Sequence, residues 1–489
     1  MQPKKPSLAG RAFLAVLLLI GFYVLALVIV IALLGMLYAM FAYSNRIDLR
    51  VILFALIGAG TVLWSIIPRR DNFIAPGPKL NPADHPQLFA AVNEIAMETD
   101  QAPPAEIYAD AQVNAWVANR GGVMGIGSKR IMGVGLPLLQ GLSVSQFKAV
   151  LAHEFGHYDG GDTQLGPWIY QTRSIIGRTI TNLAQQNSFL HKPFLWYGNM
   201  FLRVTHAISR QQEYAADALA ARTVGTEHLV EGLKRVHGSA VAYDLFWNRH
   251  IAPVLNAGYH APLAEGFGRF IKTKDVQSEM EAATAHAIKN QTQDPFDTHP
   301  PLPMRIEAVS QIKAEIRESD ERPATSLLGS LPGLESEIFT SLAHLNGVSR
   351  FNPIDWEKIG SKVYLPGWKQ TYQNYGKGLN GITLEQLPEI AGAIGAHIPT
   401  DWQSNTTPES RAAQFRTVIG IGIALLLQQN GWEIKTQVED QAYFICEDMT
   451  IFPFKISDML ATGEMSADSW REICQRAKLG AVDLGQLSV

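Results

Sequence analysis

Two histidines stand four residues apart in the stretch LSVSQFKAVLAHEFGHYDGGD, residues 142–162, with a glutamate directly after the first: His153, Glu154 and His157. Residues four apart share one face of a helix, so both imidazoles can hold a single Zn2+ ion. Glu154, one step round, then reaches a water beside the ion as general base. That is chemistry for hydrolysing a peptide bond. A catalytic zinc keeps one position open and needs a third protein ligand. A histidine six residues after His157 would complete one class of site, but Thr163 stands there. The expected third ligand is Glu213, in ISRQQEYAADALAAR, because it opens a Glu-xxx-Asp pair that sets Glu213 and Asp217 on one helix face. Asp217 is then placed to orient a histidine ligand from behind.

These residues need helices to carry them. Ser143 followed by Gln146 is a capping box that starts one just before His153, and Phe147, Val150 and Leu151 give it an apolar face. Upstream, residues 87–99 repeat apolar positions at helical spacing, and residues 106–134 alternate and are punctuated by glycines, which predicts a small sheet.

Nearer the N-terminus, residues 12–45 contain no charged side chain and far exceed the ~20 residues a membrane helix needs. Tyr38, Phe41 and Tyr43 make an interfacial aromatic cluster at its end. A second charge-free run, residues 51–67, is closed by Pro68, Arg69 and Arg70, so the pair reads as a transmembrane hairpin. Lys4, Lys5 and Arg11 precede the first helix, Arg46 and Arg50 lie between the two, and Arg69, Arg70 and Lys79 follow the second. The excess of positive charge at both outer flanks puts both ends inside, with everything after residue 70 in the cytoplasm of a multi-pass inner-membrane protein.

At 489 residues the chain is long enough for about three domains. Lys+Arg of 41 against Asp+Glu of 45, a net charge of -4, argues against a nucleic-acid partner, and two cysteines cannot form a disulfide framework. Charge, Pro, Ser and Gly mix near residues 315–335, where a boundary is expected. The resulting division is 1–70 transmembrane hairpin, 71–315 catalytic domain, 316–345 linker and 346–489 accessory domain. In the last, residues 411–429 predict a core helix too short to span a membrane. Residues 432–454 predict strands and 466–478 an amphipathic helix, a small α/β domain of unassigned role.

Taken together the residues resemble the M48 zinc metallopeptidases, which include HtpX-like membrane quality-control proteases and prenyl proteases. His153-Glu154-Phe155-Gly156-His157 followed by Asp162, and Glu213-xxx-Asp217, match two motifs of that family. Val113-Asn114-Ala115-Trp116-Val117 resembles its active-site edge strand, and residues 298–306, THPPLPMRI, its His-Pro-Pro…Arg-Ile signature. The resemblance implies an α+β, mainly helical zincin-type domain with a small sheet. It also implies a supporting role for Asp162, substrate contacts at Asn114, Ala115 and Trp116, and oxyanion stabilisation by His299 or Arg305. One departure concerns residues 164–212. HtpX-like proteins place two further membrane helices there, whereas Arg173, Arg178, Lys192, Arg203 and Arg210 interrupt every apolar run in this chain. Residues 194–202 are therefore expected to be at most an interfacial or membrane-facing patch.

The expected function is a membrane-anchored zinc endopeptidase acting on protein or peptide substrates at the lipid bilayer, with a role in membrane protein quality control. The alternative is a membrane-anchored chaperone or adaptor that uses the same fold for binding alone; Glu154 speaks against it, because binding needs no general base.

Overall fold

The computed structural model describes residues 8–44, 47–67, 73–121, 127–157, 166–186, 188–294, 297–315, 317–399, 407–438 and 442–488. It divides into two compact units, residues 1–242 with 277–342, and residues 243–276 with 343–489. Among the described residues the fold is mainly helical with three small sheets, the α+β class expected.

The first unit opens with α1 (Leu8–Tyr43) and α2 (Leu49–Ile66), packed together and each long and apolar enough to cross a membrane. The Asp48 carboxylate starts α2 by accepting from Arg50 N, satisfying one of the orphan donors of a first turn. Next come α3 (Pro86–Glu98) and a three-stranded sheet of β1 (Glu106–Asp110), β2 (Ala115–Arg120) and β3 (Lys129–Gly135), in the order β1-β3-β2. β1 runs parallel to β3 and β2 antiparallel to it, pairing Ala115 with Val134 and Trp116 with Gly133. Gly133 is required there: a Cβ would sit 2.2–2.4 Å from the Trp116 ring. After α4 (Leu136–Gly141), the helix α5 (Val144–Gly156) starts on the capping box of Ser143 and Gln146. It buries Phe147, Leu151 and Phe155.

Two long helices follow, α6 (Gly166–Gln185) and α7 (His191–Val224). They share one apolar cluster with α1 and α2, in which Phe22, Val62, Ile176, Leu183, Phe194, Tyr197 and Phe201 are buried. Residues 194–202 thus turn Phe194, Tyr197 and Phe201 inward and leave Leu195 and Trp196 exposed. One charge of this stretch is met inside the bundle at a helix end. Arg178 Nη2 donates to the carbonyls of Ser65 (3.0 Å) and Ile67 (3.1 Å) at the open end of α2, where a helix leaves its last carbonyls unsatisfied. Asn182 and Gln186, each one turn further along, bond to the hydroxyls of Ser65 and Thr61. α7 then continues unbroken to Val224 and stops at Gly225, whose φ of 99° suits a residue without a Cβ. α8 (Thr226–Phe246) leads out of the unit.

The chain returns in the helix Lys274–Asn290 and the short helix Leu302–Ser310, the latter entered through Pro301. Residues 316–345, expected as a linker, are helical from Leu331. Before that helix, Arg322 O accepts from Val144 N at 2.9 Å and Ser145 Oγ accepts from Asp320 N at 2.7 Å, which fastens this stretch to the start of α5.

In the second unit β4 (Tyr259–His260) pairs with β5 (Asn352–Pro353). The Trp356 ring lies where a Cβ on Gly266 would fall, and its indole nitrogen donates to Pro262 O at 3.1 Å. Strands β6 (Glu433–Lys435), β7 (Tyr443–Cys446) and β8 (Met449–Ile451) form an antiparallel sheet. The helix Pro408–Gln429, expected to be too short to span, is long and apolar enough to cross a membrane because it starts three residues earlier, while its residues from Val418 to Leu427 are buried in the core of this unit.

Candidate metal centre

Helices α5 and α7 pack closely along each other, and their glycine and alanine positions allow it. A Cβ on Gly156 would fall 2.6 Å from Ala216 Cα. This approach brings His153, Glu154 and His157 of α5 against Glu213 and Asp217 of α7. The ligand-capable atoms of His153, Glu154 and His157 lie within 4.8 Å of one another. Glu213, only 5% exposed, sets Oε2 3.6 Å from His153 Nε2 and Oε1 3.5 Å from His157 Nε2. Its Oε2 is buried with no hydrogen-bond partner, a state a carboxylate oxygen rarely keeps unless something cationic completes it. Tetrahedral ligands at the ~2.0–2.1 Å usual for zinc stand about 3.3 Å apart. His153, His157 and Glu213 therefore fit one such ion with little movement.

Behind these residues lies a charged lattice. Asp217 Oδ1 is 2.9 Å from His153 Nδ1, which leaves Nε2 of that ring for a ligand role. Arg305 holds the same carboxylate with both arms of its fork, Nε to Oδ2 at 2.8 Å and Nη2 to Oδ1 at 2.6 Å. Its Nη1 is 3.6 Å from Glu213 Oε2. Burial alone would raise the Asp217 pKa, but the hydrogen bonds from Arg305 and His153 outweigh it and hold the pKa down to about 2. For His153, burial works against the charged ring and the Asp217 hydrogen bond overcomes it, so its pKa stands above the ordinary histidine value. Burial pushes His157 the other way, to about 3, helped by the charges of His153 and Arg305. Its ring is neutral at physiological pH, as a ligand must be.

Glu154 is raised to about 7, chiefly by burial. It also accepts a hydrogen bond from the backbone of Val117. That contact follows from the sheet register. Gly135 N donates to Asn114 O at 2.8 Å, so in an antiparallel ladder Trp116 and Ala118 also face β3, while the N–H groups of Ala115, Val117 and Asn119 point to the open edge. β2 therefore lies beside α5, and among the described residues no other strand pairs with its outer edge.

Of the other expected site residues, Asn114 is exposed, Ala115 is buried and Trp116 packs on Gly133. The residue of that motif that reaches the centre is Val117, through its N–H. A register that depends on pairing with β3 could not be read from the motif itself. His299 is 61% exposed at the side chain and stands with Nε2 3.4 Å from Glu213 Oε1. Arg305, at 12%, is enclosed by the carboxylates. Asp162 lies outside the described residues.

Residues 82–313 match the model for Peptidase family M48. The chain is similar to the protease HtpX homolog of Archaeoglobus fulgidus, 22% identical over 244 residues that make up 46% of this chain and 68% of the relative. It is also similar to protease HtpX of Pseudoalteromonas atlantica (25% identical; 37% of this chain, 57% of the relative) and of Haemophilus ducreyi (23% identical; 43% and 66%). The chain thus spans between about half and two thirds of these relatives. No solved structure matches it.

Proposed function

This chain belongs to peptidase family M48 through residues 82–313, and from that premise we propose that it is a membrane-anchored, zinc-dependent endopeptidase. The observation that carries this reading is the buried carboxylate of Glu213, whose Oε2 and Oε1 stand 3.6 Å and 3.5 Å from Nε2 of His153 and His157, with Glu154 beside them. A bound zinc would supply a Lewis acid that polarises the scissile carbonyl and acidifies water.

The rest of the work falls to the chain. The open edge of β2 accepts an extended peptide by main-chain hydrogen bonds, which makes little demand on substrate side chains. Such tolerance suits the clearance of damaged proteins at a membrane. Glu154 takes a proton from the attacking water on its carboxylate and returns it to the departing amine nitrogen; a pKa near 7 suits it to both steps at neutral pH. The Val117 N–H holds that carboxylate at the strand edge where the peptide would lie. His299, exposed and reaching over Glu213, donates to the oxygen on which charge develops. Arg305 supports from behind, locked to Asp217. The N-terminus and the catalytic unit face the cytoplasm in this reading.

Replacing Glu154 by Gln tests it. The variant is expected to keep its zinc and lose cleavage of an unfolded protein substrate by about 10²-fold or more. Cleavage equal to the parent's would refute the protease assignment and favour an adaptor.

A further inference from the structure

Arg210 stands three residues before Glu213 on α7, the spacing that puts two side chains on one helix face. Its guanidinium reaches the segment just before His299. Nη1 donates to the carbonyl of Asp297 at 2.6 Å, with the carbonyl of Asp294 at 3.5 Å. Two residues on is His299. The Asp297 carboxylate accepts from His299 N at 3.0 Å, and Thr298 Oγ1 lies 3.0 Å from His299 Nδ1. At the far end, Gln291 Oε1 accepts from Leu302 N at 3.0 Å.

His299 is held by this frame and not by burial, since its side chain is 61% exposed while its Nε2 lies 3.4 Å from Glu213 Oε1. An exposed side chain on an irregular segment has no packing to fix it. The charge-assisted bond from Arg210 to Asp297 ties the segment to the same helix that bears Glu213. The two ends of the His299–Glu213 contact are thus set by one rigid element.

We infer that Arg210 is a positioning residue: it fastens the segment that carries His299 to α7, so that His299 stays over Glu213 during the peptide-bond hydrolysis proposed above. The inference rests on that reading for its effect on rate, but the clamp itself can be measured without it. Lysine, a single point charge on a flexible stem, would restore the bond only in part.

The test uses the full-length protein in detergent with four variants, Arg210→Met, Arg210→Lys, His299→Ala and the double Arg210→Met/His299→Ala. Arg222→Met, an exposed position on the same helix, is the control. The expected result for Arg210→Met is parent-level zinc and a loss of roughly 10- to 100-fold, seen mainly in kcat, as a misplaced catalytic group gives. Arg210→Lys should recover part of it. The double variant should be no worse than His299→Ala by more than about twofold, because both changes remove one function. Hydrogen exchange at the His299 amide should speed up by about tenfold or more in Arg210→Met and stay at the parent rate in Arg222→Met. Parent-level kcat in Arg210→Met, losses that multiply in the double variant, loss of zinc or unchanged exchange would each overturn the inference. Should the parent itself cleave nothing, the protease reading fails on its own, and the exchange arm still decides whether Arg210 clamps the segment.

Discussion

Replacing Asp217 by Asn keeps the size of the side chain and removes its charge, at the point where α5, α7 and the helix Leu302–Ser310 meet. Asp217 is 1% exposed and bonds to His153 and twice to Arg305. Its pKa is held at about 2 against an ordinary 3.8. A lowering of that size corresponds to roughly 2–3 kcal/mol of folding stability tied to the charged carboxylate. The sign follows from the direction of the shift. A carboxyl lowered in the folded state contributes fully above the unfolded pKa, near 4, and the contribution fades as the pH falls through about 2. The Asn variant lacks it at every pH and also leaves Arg305 buried beside a neutral group, so the loss at pH 7 should lie between about 2 and 5 kcal/mol. His153 loses the acceptor that fixes its ring, which should weaken zinc binding by about 10- to 100-fold. Two assays separate these effects. Competition with a chromophoric chelator at pH 7 reads the zinc affinity. Thermal unfolding of chelator-treated protein, followed from pH 7 down to pH 2, reads the stability gap between variant and parent, which should narrow below pH 4. Parent-level zinc affinity, or a gap that stays constant down to pH 2, would refute the argument that this carboxylate acts through its charge.

Glu213→Ala should lower zinc content in the purified protein, whereas Glu231→Ala, an exposed residue paired with Lys234, should leave it intact; metal analysis of both variants checks the choice of ligand. Gly156→Ala would place a methyl 2.6 Å from Ala216 Cα and 2.9 Å from its Cβ, forcing α5 away from α7. It is expected to cost about 1–3 kcal/mol by overpacking and to reduce zinc retention, read by thermal unfolding and metal analysis. External protease added to intact spheroplasts should spare residues 71–489 if the positive flanks of α1 and α2 face the cytoplasm; digestion of that region would reverse the orientation.

What the sequence made legible was local. His153 and His157 share a face because a helix turns every 3.6 residues, and the capping box that starts α5 lies within four residues of chain. Glu213 and Asp217 follow the same rule on α7. Long-range pairing was not legible. The arginines of residues 164–212 read as charges that keep every apolar run there short of spanning length. Yet Arg178 answers the carbonyls of Ser65 and Ile67, more than a hundred residues earlier, and no spacing rule reports that a distant helix end needs a donor.

The same limit separates the motif residues from the one that touches the centre. Ala115 and Trp116 belong to the right strand and Asn114 directly precedes it, but which of its N–H groups faces Glu154 depends on pairing with β3, and a shift of one residue reverses the answer. The organisation of the chain obeys this logic too. Residues 243–276 interrupt the stretch expected as one catalytic domain, and they belong to the second unit because β4 pairs with β5 and Gly266 makes room for Trp356. Each of those contacts joins residues about ninety apart in the chain, so neither composition nor periodicity near residue 243 could announce the change. A cut placed by composition near residue 335 would therefore leave Pro262 and Gly266 without the tryptophan that packs on them. The helices that carry the candidate zinc ligands come from the first unit alone, but the chain that links them to His299 and Arg305 passes through the second.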